Sequence, residues 1–288
     1  MEDRRHPRRA TSHSAGGGAH RRPGTGPSGV APVRQRAPLP ARADNLPPLP
    51  PEYHADLDAG LKQMGLGLAR WQRRLIDDHA RLLLAWNAAV NLTAITDPRG
   101  IALSHVLDSL SATAPIRATG ARSLLDLGSG GGYPGIPLAA ILPLHRVVLV
   151  ESVGKKARFL ETVAAADGLT GRVTVAAERA ESLARQDVHR ERWDVVIARA
   201  VGALAELVEL GFPLLVRGGL LVAWKRGELD WELAQARRAL TGLGGGTIDV
   251  HPAGIDQLPG HRLLLLRRTG PVATRYPRDR RVRKREPW

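Results

Sequence analysis

The chain has 288 residues, 42 Lys+Arg, 28 Asp+Glu and no cysteine. That length fits one large domain or two small ones, and zero cysteine excludes a disulfide framework, thiolate metal sites and any Cys-nucleophile mechanism. The formal net charge of +14 sits at the ends: residues 1–50 hold 9 Arg and 3 acids, residues 267–288 hold 9 Lys+Arg and 2 acids, and the remainder holds 24 basic and 23 acidic groups. A nearly neutral globule with two basic tails suits a polyanion partner, although an Arg-favouring coding bias gives the same composition.

Residues 1–51 are rich in Arg, Pro, Gly and Ala, with ten prolines and six glycines. Such a segment cannot bury enough apolar surface to offset its ordering entropy, so a disordered basic extension is expected. It reads either as a passive extension or as a nonspecific RNA-binding arm. Its arginines precede no apolar run, so it is not a secretory signal. The longest apolar runs, such as Leu263–Leu266 and Val147–Val150, are strand-sized and far below the ~18 residues of a membrane span. A cytoplasmic protein without a membrane partner is expected.

Residues 52–118 read as a helical segment packed on the core. Leu57, Leu61 and Met64 recur at helical spacing, and Leu68, Trp71, Leu75, Leu82, Leu83 and Trp86 form a longer stripe for core packing. After a turn at Asn91-Leu92-Thr93, Thr96 or Asp97 can cap a helix with Pro98 in its first turn. That helix carries Ile101, Val106, Leu107 and Leu110 and ends before Pro115. His105 and Asp108 lie at i, i+3 and share a face, as a structural hydrogen bond or an acid/base couple.

Residues 119–270 alternate strands and helices. Strands are expected at Ser123–Leu127, Arg146–Glu151, Arg172–Ala176, Trp193–Ala198, Gly219–Trp224, Thr247–His251 and Arg262–Arg267. Helices are expected near 135–142, 154–166, 203–215 and 229–242. This order predicts an α/β fold with a mostly parallel, seven-stranded, Rossmann-like sheet covered on both faces. The last two strands have no helix between them and predict an antiparallel edge hairpin. Residues 271–288 complete the chain as a basic tail.

The strongest signal runs from Leu124 to Gly135, Leu-Leu-Asp-Leu-Gly-Ser-Gly-Gly-Gly-Tyr-Pro-Gly, an apolar strand entering a glycine loop and then a helix. Glycines allow close ligand approach, and a helix N-terminus offers free N–H groups. Two readings stand open. Gly130, Gly132 and Gly135 fit the dinucleotide pattern G-x-G-x-x-G, and with it an NAD-dependent oxidoreductase. Asp126, Gly128, Gly130 and Gly132 fit D-x-G-x-G-x-G, which looks like motif I of class I S-adenosylmethionine methyltransferases. An acid at 126 suits a sulfonium and an amine better than a pyrophosphate.

Glu151, closing the second strand, stands where a carboxylate accepts from ribose hydroxyls. Ala180-Glu181 falls where an adenine edge would lie. Arg199 ends a buried strand at the sheet's carboxyl edge, so it must be paired or face a ligand. Lys225 reads as a solvated strand-end lysine. No metal-ligand cluster and no P-loop lysine is present.

These pieces together resemble one family. Trp86-Asn87-Ala88-Ala89-Val90-Asn91-Leu92-Thr93 is similar to its Trp-Asn-x-x-x-Asn-Leu-Thr opening, and His105-Val106-Leu107-Asp108-Ser109 to its His-x-Leu-Asp-Ser signature. Gly128–Pro137 resembles its glycine loop ending Pro-Gly-Ile-Pro. Ser152–Leu160 and Ile197-Ala198-Arg199-Ala200 resemble its later elements. The chain is identified by these residues, over roughly 66–278, as resembling the 16S ribosomal RNA guanine-N7 methyltransferases, also called glucose-inhibited division protein B. The resemblance implies a class I S-adenosylmethionine-dependent methyltransferase fold. It also implies cofactor contacts at Gly128, Tyr133, Ala180, Glu181 and Arg199, to which the loop reading adds Asp126, Gly130 and Glu151. Tyr133 departs from the usual Phe or Leu, and its hydroxyl calls for a polar neighbour.

The implied substrate is a guanine in the 530 loop of 16S ribosomal RNA, free or in the small ribosomal subunit, and a monomer is expected. Guanine N7 carries an in-plane lone pair and needs no deprotonation before attack. Zero cysteine excludes the covalent route to C5-methylated pyrimidines. Ala198-Arg199-Ala200 stands where amino-group methyltransferases place Asn/Asp-Pro-Pro-Tyr/Phe. Arg199 is therefore the candidate for positioning, with His105 and Asp108 behind it. A noncatalytic RNA-binding or ribosome assembly factor on the same scaffold is the reading from another class.

Overall fold

Seven strands form a sheet: β1 Ser123–Leu127, β2 Arg146–Val150, β3 Val173–Ala176, β4 Trp193–Arg199, β5 Leu215–Arg226, β6 Gly246–Pro252 and β7 His261–Arg268. The computed structural model describes residues 38–165 and 168–288, and Leu39–Trp288 form one unit. The strand order is β3-β2-β1-β4-β5-β7-β6, with β1 to β5 parallel and β7 antiparallel to both β5 and β6. The expected sheet and edge hairpin are both present. Chain order reverses direction between β1 and β4, which opens a crevice at the carboxyl ends of those two strands. Asp194 locks them together at the other end: its Oδ2 accepts from Arg122 N, Ser123 N and Ser123 Oγ, each at 2.9 Å.

Alternate residues of each strand face two separate cores. Leu124, Val147, Leu149, Val195, Ile197 and Val222 face one, and Leu125, Val148, Val150, Val196, Ala198 and Leu221 face the other. The period of two is what a sheet covered on both faces requires. The first core is roofed by α1 Pro51–Gln63, α2 Arg70–Val90, α6 Gly135–Ile141 and α7 Gly154–Ala164. The second is covered by α9 Leu204–Gly211 and α10 Asp230–Gly242.

Between α2 and β1 the chain runs through α3 Pro98–Gly100, a π-helical segment Ile101–Leu107, α4 Asp108–Leu110 and α5 Thr113–Arg117. Asp97 is the cap, its Oδ1 accepting from Gly100 N at 2.7 Å. The π segment interrupts what the sequence presents as one regular helix. Among the described residues no helix is long and apolar enough to cross a membrane.

Four expectations need correction. Residues 1–37 lie outside the described residues, but 39–50 pack on the core, with Ala43 and Leu49 buried. Proline carbonyls there act as acceptors: Trp86 Nε1 donates to Pro40 O at 2.8 Å and Arg81 Nε to Pro47 O at 3.0 Å. The stripe residue Trp71 is 49% exposed, because it stands in the first turn of α2, short of the buried stretch beginning at Leu75. Strand β5 starts at Leu215, not Gly219; extra residues are absorbed where its register against β4 shifts between Trp193 and Val195. Finally, 271–288 is no free tail. Val272, Tyr276 and Arg283 are buried, and a short helix, α11 Arg280–Arg285, follows. Arg190 pins the approach through Tyr276 O at 2.8 Å and Ala273 O at 3.1 Å.

Candidate functional site

The glycine loop leaves β1 at the crevice and turns into α6. Gly128 N and Ser129 N both donate to Val150 O, at 2.9 and 3.0 Å, so the loop leans on β2. Gly130 N donates to Glu151 Oε2 at 3.1 Å, while Glu151 Oε1 accepts from Val153 N at 2.8 Å. Gly128 has φ +70°, and a Cβ there would stand 2.7 Å from Val201 Cγ2. Gly132 has φ +84°, and a Cβ there would meet His79 Nε2 at 2.8 Å. Both positions need glycine for conformation and for space.

Asp126 opens on neither of the two cavities beside the loop. It is fully buried beneath the loop, its Oδ2 accepts from Gly135 N at 3.1 Å, and Oδ1 has no partner among the described residues. Burial pushes its pKa up to about 7 against the donors of Ser129 and Gly135. Its role is to hold the loop to the start of α6. The spacing D-x-G-x-G-x-G reports the loop correctly, but not which way its acid points.

Tyr133 is packed between two imidazoles. Its ring centroid lies 4.3 Å from His79 and 4.8 Å from His105, with interplanar angles of 21° and 14°. The aromatic packing role is filled, but the hydroxyl is buried without a partner, contrary to expectation. Burial raises its pKa. His79, from α2, bonds Gly131 O through Nε2 at 2.8 Å. Burial lowers its pKa to about 3, so it is a neutral donor to the loop.

Arg199 ends β4 opposite this stack, its guanidinium carbon 5.9 Å from the Tyr133 ring. It is a paired arginine. Its Nη1 donates to Asp108 Oδ2 at 2.9 Å and Ser104 O at 2.8 Å, and Nη2 lies 3.4 Å from His105 Nδ1. His105 Nε2 bonds Thr93 Oγ1 at 2.8 Å. Burial first, then the adjacent Arg199 charge, lower the His105 pKa to about 4. The other Asp108 oxygen meets His261 Nδ1 at 3.0 Å, and Trp224 Nε1 donates to Asp108 O at 2.7 Å. The side chains of His105 and Asp108 make no direct bond, although the Asp108 N–H donates to His105 O within the helix; Arg199 stands between the two side chains. The next residue, Ala200, has φ +59°, a strained backbone at the functional edge of the sheet.

Two cavities meet at Gly128, Glu151 and Val201. The larger, about 770 Å³, is lined by Tyr133, His105, Asp108, Arg199, Trp224 and His261 among others. The smaller, about 490 Å³, extends over Ala180 and Glu181 toward Arg283. Glu181 is ion-paired with Arg283. Burial alone would raise its pKa, but the Arg283 contacts hold it below the usual carboxylate value. Among the described residues no group of three or more His, Cys, Asp and Glu is arranged to hold a metal.

This arrangement fits S-adenosylmethionine, the cofactor that the motif resemblance implies. A Cβ added at Gly130 would meet only Gly128 O, at 3.8 Å, so the backbone there is open to close approach. Glu181 lines one cavity, Tyr133 and Arg199 the other, and Gly128 and Glu151 both.

Lys225 corrects another expectation: only 16% of its side chain is exposed, and it pairs with Glu232 and bonds Gly202 O at 2.7 Å. Sequence reasoning missed His79, His261 and Arg283. His79 carried a signal, since a histidine in the apolar stripe of α2 is a buried polar group needing a partner. His261 and Arg283 carried none.

The family model of rRNA small subunit methyltransferase G matches residues 72–256. Ribosomal RNA small subunit methyltransferase G of Roseiflexus castenholzii is 45% identical over 212 residues, covering 73% of this chain and 90% of the relative. The protein of the same name from Rubrobacter xylanophilus is 40% identical over 241 residues, covering 82% of this chain and 89% of the relative. Among solved structures, an O-methyltransferase from Bacillus cereus in complex with SAH matches with a TM-score of 0.50 at 18% identity. It covers 66% of this chain and 90% of its own, and supports the sheet architecture alone.

Proposed function

The chain belongs to the rRNA small subunit methyltransferase G family, and from that premise we propose its reaction. It methylates guanine N7 in the 530 loop of 16S ribosomal RNA with S-adenosylmethionine, by direct in-line transfer and without a covalent enzyme intermediate. One observation carries this reading: the buried acids and bases lining the larger cavity are committed to one another. Asp108 is divided between Arg199 and His261, and His105 is kept neutral beside Arg199. An acceptor that must lose a proton would be poorly served, whereas N7 attacks with a lone pair already free.

Bound S-adenosylmethionine supplies an electrophilic methyl group on a cationic sulfur. The protein's share is placement and exclusion of water. Gly128 and Gly130 admit the donor closely, and Tyr133, clamped by two imidazoles, is a rigid floor beneath it. Asp108 fixes the direction in which Arg199 presents its guanidinium. Leu83, Leu92 and Trp224 supply apolar wall to the cavity that receives the base.

The test is transfer of labelled methyl to 16S rRNA and to small subunits lacking the modification, followed by mapping. Label on one guanine N7 of the 530 loop is the expected product. RNA binding without label would favour the noncatalytic assembly-factor reading. The dinucleotide reading rested on Gly130, Gly132 and Gly135 alone, and family membership leaves it without support.

His261→Phe separates placement from proton transfer. Removing a general base costs about 10²–10⁴-fold in rate. Here kcat should fall by less than about tenfold, because the substitution removes one ligand of Asp108 and leaves Arg199 in place. Steady-state kinetics check this, and a thousandfold loss would make His261 a base.

The RNA-arm reading now concerns residues 1–37, which hold 8 Arg and 2 acids. Deleting them should flatten the salt dependence of RNA binding, since each phosphate contact releases counterions. A titration at several salt concentrations giving the same slope would discard the arm.

A further inference from the structure

The smaller cavity is walled on one flank by residues 278–288, which the sequence marks only as basic. An anchor holds this segment. Arg278 donates to the fully buried Glu209 from its backbone N, Nε and Nη2 at 2.7, 2.9 and 2.7 Å, and Trp288 Nε1 adds a fourth donor at 2.6 Å. Burial would raise the Glu209 pKa, but these donors outweigh it and hold the carboxylate low. The Arg278 guanidinium also lies 4.6 Å from the Trp288 ring.

From that anchor α11 carries Arg283 to the cavity. Its side chain is 5% exposed. It pairs with Glu181, reaches Glu206 Oε1 at 3.4 Å and donates from Nη1 to Arg278 O at 2.7 Å. Its Nε–H is buried with no partner among the described residues. A buried donor left unmet is uncommon in a folded protein and calls for an acceptor. Arg283 and Glu181 both line the cavity in which the adenosine half of the cofactor is expected. Together they offer one acceptor and one donor side by side. Adenine presents the complement: an exocyclic amine that donates and ring nitrogens that accept.

We propose that Arg283 is a binding residue of the cofactor site, with its guanidinium orienting Glu181 toward the adenine amine and its Nε–H meeting a ring nitrogen of the same base. This rests on the reading that S-adenosylmethionine occupies the cavity. Hypoxanthine replaces the amine by a carbonyl oxygen and protonates the adjacent nitrogen, so both contacts would be mismatched.

The experiment is calorimetric binding of S-adenosylhomocysteine and S-inosylhomocysteine to the full chain, as wild type, Arg283→Ala and Arg283→Lys, with thermal unfolding beside it. The wild type should prefer the adenosyl compound by at least about tenfold, a site that hydrogen-bonds a ligand being intolerant of its mismatched analogue. Arg283→Ala should lower adenosyl affinity by about tenfold and bring the two ligands within about threefold. Arg283→Lys keeps the charge opposite Glu181 but has no Nε–H, so its fold should hold while discrimination still falls. It decides the matter if the alanine variant unfolds. Equal weakening of both ligands would make Arg283 a structural bolt and overturn the proposal, as would unchanged discrimination or tighter binding by the alanine variant. Failure of the wild type to bind S-adenosylhomocysteine would instead overturn the reading of the cavity itself.

Discussion

Gly128→Val should reduce S-adenosylmethionine affinity at least about 100-fold while leaving the far-ultraviolet circular dichroism of the native chain. Two effects combine at this residue. A β-branched side chain is forced into φ +70°, which costs about 1–3 kcal/mol at one position. Its Cβ also starts 2.7 Å from Val201 Cγ2, so Val201 must move into the space shared by the two cavities. The loop's hydrogen bonds to Val150 O and Glu151 come from backbone N–H groups that the substitution keeps, and the added Cβ meets only Val201. Damage should therefore fall on binding more than on folding. Calorimetry and circular dichroism on one preparation check this; normal affinity would place the cofactor elsewhere.

Arg199→Ala should lower methyl transfer by about 10²–10³-fold, the usual loss when one preorganised donor leaves an active site. It should also destabilise the chain by roughly 3 kcal/mol, because Asp108 is 3% exposed and would keep only His261. The two losses separate in a second variant. Arg199→Ala with Asp108→Asn removes the stranded charge, so denaturant unfolding should recover toward wild type while activity stays low. Recovery of both would make Arg199 a purely structural partner of Asp108. Arg199→Lys retains the charge but not the planar fork that engages Asp108 and Ser104 O together, so it should rescue stability better than rate.

Much of the sheet was legible because apolar residues alternate or run continuously in strand-length blocks bounded by glycine or charge. β1 through β4 and the edge hairpin all follow from that rule. The glycine loop was legible because strand, glycines and helix start stand in one continuous stretch. Contacts between distant residues were not. Arg199 meets Asp108 across 91 positions, and Arg283 meets Glu181 across 102. Nothing in the composition of 278–288 separates a solvated basic tail from one held by Glu209, because the deciding acids lie on α8 Ala180–Leu183 and α9. Asp126 shows the same limit at short range. Its place before the glycines is plain, yet only the bond from Gly135 N at the start of α6 shows its carboxylate turned under the loop and out of both cavities.

The π segment Ile101–Leu107 has a consequence for tolerance to length changes. Such wide turns gather at functional sites. An i→i+5 turn takes up about one residue more than an i→i+4 turn, so it absorbs an extra residue while the helix beyond keeps its direction. Deleting one residue from it, other than Ser104 or His105, would let a regular helix form with Asp108 still turned toward Arg199 and His261. Inserting one more residue has no such outlet: everything downstream would rotate by about 100° about the axis, carrying Asp108 away from both partners. A scan through 101–107 should thus find an asymmetry, with deletions retaining activity and insertions abolishing it even in chains that still fold. This helix holds one residue more than a regular one would, and the wide turn keeps that residue from changing the side on which Asp108 faces.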